Sequence, residues 1–244
     1  MSPLSQYSIH SYLSVLIGGL DFSFTSSTIY YIISLFVIAY IFTTSIDTLL
    51  LVPNRFQSGL EQVYTMLRAM VVNQLGNSSI TLVPLIVTIF MVIFILNLIG
   101  LIPHSFSITS QGIVPIFLSF SVFLGFTFLG FVNKRLGYLS IFLPQGVPGF
   151  ISPFVVLVEV ISYLSRSLSL GLRLFANMFA GHTLLNILGS FTVKIGELGG
   201  IYLLLAIFPF FFILFFSFLE LLVCFLQSLV FVILVLTYLE DTTN

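Results

Sequence analysis

The sequence has 244 residues, 59% of them hydrophobic and only 6% charged, whereas a water-soluble domain draws about a quarter of its residues from Lys, Arg, Asp and Glu. The bilayer is therefore its solvent, and seven basic against eight acidic side chains leave no basic surface for a nucleic-acid backbone. A single cysteine, Cys224, with three histidines, His10, His104 and His182, builds neither an internal disulfide, a thiolate metal site nor a bundle of haem-ligating imidazoles, so no metal and no cofactor are expected.

A membrane span takes about 20 apolar residues to cross roughly 30 Å of hydrocarbon. The first candidate is 29–52. Nothing before it combines a charged start, an apolar core and a small-residue cleavage site, so no secretory signal is expected. Residues 54–75 read differently. Phe56, Leu60, Val63, Leu67, Met70 and Val71 recur at helical spacing, while Arg55, Glu61, Gln62, Arg68 and Gln74 fill the other face. That is an amphipathic helix lying on the membrane surface, with Pro53 at its start and Gly76-Asn77 at its end.

Two further spans, 82–102 and 113–132, form a hairpin within 82–132. After the break at Gln145-Gly146-Val147-Pro148-Gly149 come two overlong segments, 151–188 and 201–239. Such lengths force strong tilt or a kink, so 151–239 reads as a tilted hairpin. Lys194 falls between its two helices. No internal repeat appears, and 1–244 reads as one membrane domain. The expected fold is an all-α integral membrane protein with about five membrane helices and one surface helix. With the N-terminus outside, Arg55, Arg68, Lys134 and Arg135 all fall inside, as basic residues near span ends prefer.

Charged groups inside apolar spans are the informative residues, since an arginine at mid-bilayer costs from about 3 to more than 10 kcal/mol. Glu159, Arg166 and Arg173 stand seven residues apart, a step that drifts only about 20° around a helix, so they share one face. Ser162, Ser165, Ser169, Ala176 and Ala180 lie on the same side and would let another helix approach closely. Asn177 follows Arg173 by one turn. In the last helix Glu220 stands among phenylalanines and leucines, where an ionised carboxylate needs a cation, a donor or a proton. Gln227, seven residues on, shares its face. A purely packing role is open for each: the arginines could pair with Glu159, His182 could be a packed hydrogen-bonding side chain, and Gln227 could join two helices.

The stretch LSLGLRLFANMFAGH, residues 168–182, resembles the signature of ATP synthase subunit a in its mitochondrial form. NLIGLIP, residues 97–103, resembles the end of that family's third helix, and Glu220 with Gln227 matches its last helix. The likeness runs from about Leu82 to Leu239; before that only the order of elements agrees.

The resemblance implies a stationary proton-translocating subunit of the Fo sector, not catalytic alone, in the mitochondrial inner membrane with its N-terminus on the intermembrane space side. Its partners would be the c-ring, other Fo and peripheral stalk subunits, lipid and the transported protons. Arg173 would be the essential gate facing the ring, with Asn177 beside it and Gln227 opposite. Glu159 and Arg166 would line the matrix half-channel, His182 and Glu220 the other. The last two helices would lie tilted along the ring. Two readings from other classes stand beside this one. A secondary transporter or ion channel could use an intramembrane arginine to hold an anion. A purely structural subunit of a respiratory complex would need no intramembrane charge.

Overall fold

The computed structural model describes residues 11–13, 16–17, 20–21, 23–47, 53–102, 105–142, 150–200 and 202–243. The helices are α1 (Ser26–Asp47), α2 (Arg55–Leu75), α3 (Val83–Gly100), α4 (Ile113–Lys134), α5 (Ser152–Glu197), the single turn α6 (Tyr202–Leu205) and α7 (Ile207–Thr243). Two short antiparallel ladders precede α1, β1 (Ser11–Leu13) with β4 (Phe24–Thr25) and β2 (Leu16–Ile17) with β3 (Leu20–Asp21). Among the described residues five helices are long and apolar enough to cross a membrane, so the architecture is the expected all-α membrane type. The expected break at 145–149 lies outside the described residues, as do 48–52.

The helix starts follow one rule. Pro84, Pro115, Pro153 and Pro209 each stand in the first turn of α3, α4, α5 and α7. There the missing N–H is one of the donors a helix start leaves unbonded in any case, and the fixed φ suits the helix. The amphipathic helix α2 starts where Asn54 accepts a hydrogen bond from the Arg55 amide and stops at Gly76, whose φ of 78° favours glycine. Leu67 and Val71 are buried while Arg55, Glu61, Gln62, Arg68 and Gln74 are exposed, the two faces read from the sequence.

α5 has 46 residues and α7 has 37. At 1.5 Å per residue α5 is about 69 Å long, twice the hydrocarbon thickness. It runs past Leu188 to Glu197, so Lys194 lies in its last turn rather than between helices. Gly189 and Gly196 are carried in the helix; Gly199 and Gly200, with φ of 68° and 61°, are the residues that turn the chain out of it.

The chain divides into two compact units. The first takes 1–44, 91–111 and 174–228. Its core joins the end of α3 to α5 and α7: Phe94 meets Phe225 edge to face at 5.9 Å, and Cys224 Sγ lies 3.7 Å from Met178 Sδ. Close approach depends on glycine. A Cβ at Gly100 would stand 3.2 Å from Met178 Cε and 3.6 Å from His182 Nε2.

The second unit takes 45–90, 112–173 and 229–244. Here α4, α5 and α7 converge on an aromatic cluster in which Tyr163 lies 5.0 Å from Phe123 and 5.2 Å from Tyr238. A 3-10 helix over Arg135–Phe142 folds back on α4. Its Tyr138 shares a 3.0 Å hydrogen bond with the Tyr163 hydroxyl and presses on Gly130, where an added Cβ would clash with the ring. Burial raises the Tyr138 hydroxyl above its ordinary pKa; the bond to Tyr163 lowers it and Asp241 raises it again. The phenol therefore stays protonated and acts as a structural pin. α4 and α5 touch backbone to side chain: Ser167 Oγ donates to the Ser119 carbonyl at 3.4 Å, and a Cβ at Gly171 would come 2.8 Å from the Ile116 Cα.

Candidate functional site

The residues singled out in the sequence fall on α5 and α7 in two groups, one on each unit. In the second unit, Arg166 and Arg173 line one cleft of about 320 Å³ with Ser169, Leu170, Val230, Ile233 and Leu234. Arg173 is exposed and Arg166 half-buried. Neither arginine has a carboxylate within ion-pair distance among the described residues, so the packing alternative in which they pair with Glu159 is not what the structure shows. Arg166 lies near enough to Asp241, at the end of α7, for the carboxyl group to feel its charge without an ion pair between them. Asp241 is not among the residues singled out in the sequence. Its signal was an acid on the helix that already carried Glu220 and Gln227, masked by its place at the chain terminus.

In the first unit, two polar pairs join α5 to α7. Asn177 Nδ2 donates to Gln227 Oε1 at 3.3 Å, and His182 Nε2 lies 3.9 Å from Glu220 Oε1. Helix periodicity places them: Asn177 and Gly181 are one turn apart on α5, and Glu220 and Gln227 are two turns apart on the antiparallel partner. Glu220 is 7% exposed and Gln227 5%. The carboxylate occupies the space of a missing side chain, since a Cβ at Gly181 would sit 2.5 Å from Glu220 Oε1. Beside it, Asn177, Ala180, Gly181, Leu184 and Glu220 border a cleft of about 220 Å³. His182 opens on another, of about 330 Å³, that also carries Ser105, Asn186 and Ser217.

The first unit thus holds an imidazole and a carboxyl group close together with water-sized space against both, which suits proton movement. The second holds two permanent cations on one cleft, with no ion-paired carboxylate among the described residues. Along α5, Ser162, Ser165, Ser169, Arg173, Ala176 and Ala180 are all exposed, leaving a face of small side chains around the arginine. Among the described residues no cluster of three or more His, Cys, Asp or Glu is placed to hold a metal ion.

Comparison with known proteins gives the family. The family model described as ATP synthase A chain matches residues 25–240. The chain is 43% identical to ATP synthase subunit a of Marchantia polymorpha, covering 100% of this chain and 98% of that one. It is 41% identical to the protein of the same name from Trichophyton rubrum, over 99% and 96%, and 37% identical to that of Pelagibacter ubique, over 100% and 98%. Matched over this length and at this identity, the chain belongs to the ATP synthase A chain family, the proton-translocating component of the Fo sector.

Proposed function

We propose that this chain forms two proton half-channels to a rotating c-ring and that Arg173 is the gate that keeps them apart. The observation that carries the reading is a guanidinium left exposed on a face of small side chains, with no carboxylate in ion-pair reach among the described residues. A charge in hydrocarbon without a partner is costly, so its partner belongs to another subunit, and small neighbours let a helix come close. A ring carboxylate answers both needs.

Guanidinium does not deprotonate in proteins, so Arg173 attracts an ionised ring carboxylate without relaying its proton. An acid arriving protonated gives up its proton before it passes and is reprotonated afterwards. The proton must therefore ride the ring between the two half-channels. His182, Glu220, Asn177 and Gln227 form one half-channel, and Glu159, Arg166 and Asp241 the other. Each charge falling through about 100 mV releases roughly 2.3 kcal/mol to drive rotation. The lengths of α5 and α7 support helices tilted along the ring.

The membrane in this reading is the mitochondrial inner membrane, with the N-terminus on the intermembrane space side. The exposed Arg55, Arg68 and Arg135, on segments that then face the matrix, support that orientation. The test is crosslinking in the assembled complex. Single cysteines replacing Ser169 and Ala176 should crosslink to cysteines flanking the ring carboxylate and stop rotation. Crosslinks only to a fixed subunit would refute the gate.

A further inference from the structure

Asn97 is on α3, in the stretch that resembles the family, and the half-channels as described make no use of it. It is 0% exposed, and among the described residues nothing hydrogen-bonds either its Oδ1 or its Nδ2. Buried amides are normally satisfied, and leaving one unmet costs about 1–3 kcal/mol per group. Where protein groups do not meet the need, ordered water does.

Its neighbours on the same face of α3 fix its level. Gly100, one turn on, faces Met178 and His182. Phe94, one turn back, packs on Phe225. Asn97 therefore stands at a height between the His182–Glu220 pair and the Asn177–Gln227 pair. That height matters because Glu220 and Gln227, seven residues apart, are separated by about 10 Å along α7, too far for one hydrogen bond. Across this interval α5 and α7 offer Met178 and Cys224, whose sulfurs face each other and are weak hydrogen-bonding groups. The atoms with unmet hydrogen-bonding capacity gather here as well: His182 Nε2, both Glu220 oxygens and Gln227 Nε2.

We infer that Asn97 is a further proton-path residue, its amide holding water that links Glu220 to the Asn177–Gln227 pair. The proton on the Glu220 carboxyl group passes to the oxygen of the first water as an O–H bond forms there. That water releases a different proton onward, and Glu220 is reprotonated from the His182 side. Asn97 gains and loses no proton; it donates to one water and accepts from another, which keeps the file oriented.

The inference rests on the reading that Glu220 and Gln227 lie on the proton path. Its test uses the assembled ATP synthase in membrane vesicles, with complex content measured alongside passive proton conduction after removal of the soluble catalytic sector. Asn97→Leu, similar in size but without polar atoms, should lower conduction per assembled complex roughly tenfold, equivalent to about 1.4 kcal/mol on the barrier. Asn97→Ser, which leaves room and a hydroxyl for water, should stay near wild type. Conduction per complex unchanged by Asn97→Leu, or lowered equally by Ser and Leu, would overturn the inference. Glu220→Gln is run in parallel. If it slows conduction while Asn97→Leu does not, the inference fails and the path reading stands; if it too is without effect, both fail. Should Asn97→Leu not assemble, an experimental map of the wild-type complex decides. Water bridging the Asn97 amide toward Glu220 supports the role, and an amide bonded only to protein groups refutes it.

Discussion

A carboxyl group in hydrocarbon stays where it is only if its surroundings are shaped for it, and Glu220 is seated by the missing side chain of Gly181. Gly181→Ala should therefore displace the carboxyl group and slow proton conduction about as much as Glu220→Gln, with the complex still assembled; conduction per complex checks both. Arg173→Lys should abolish proton-driven ATP synthesis, because lysine lacks the planar fork and sheds its proton when desolvated. Synthesis at the wild-type rate in that variant would remove Arg173 from the gate. These residues were legible in the sequence because charge in an apolar run has few explanations. Asn97 was not, since one buried amide in a span reads as packing until its neighbours are known. Neither was the nearness of Arg166 to Asp241, which lie 75 positions apart in the chain.

Among elements, what could be read depended on how local the cause was. The surface helix α2 carries both of its faces and its stop residue in its own 21 residues, so pattern sufficed. The extent of α5, read as 151–188, was underestimated, since the helix runs to Glu197 and Gly199 and Gly200 adopt the positive φ that turns the chain out of it. The 3-10 helix over 135–142 was not legible at all, since what holds it is Tyr138 packed in the groove at Gly130 and bonded to Tyr163. Gly130→Ala should then overpack that groove and destabilise the protein by about 1–3 kcal/mol. Tyr138→Ala in the same chain should relieve most of the clash, so that the two losses are not additive. Thermal stability of the purified complex across the four variants measures this.

For the molecule as a whole, composition alone decided the solvent, and the structure shows how. Large apolar side chains such as Phe36, Phe117, Phe128, Phe154 and Phe211 are 68–72% exposed, a surface only lipid or another apolar subunit can cover. The chain should accordingly remain in the bilayer through an alkaline wash that strips peripheral proteins, as fractionation and immunoblotting would show. Fold class was legible because five apolar stretches leave few alternatives, while the contacts that bring Asn177 to Gln227 and His182 to Glu220 needed the pairing of α5 with α7.

The Asn177–Gln227 contact has a mechanical side. It ties the two longest helices to each other one turn beyond Arg173, and in the gate proposed above that tie would brace α5 against the pull of a passing acid.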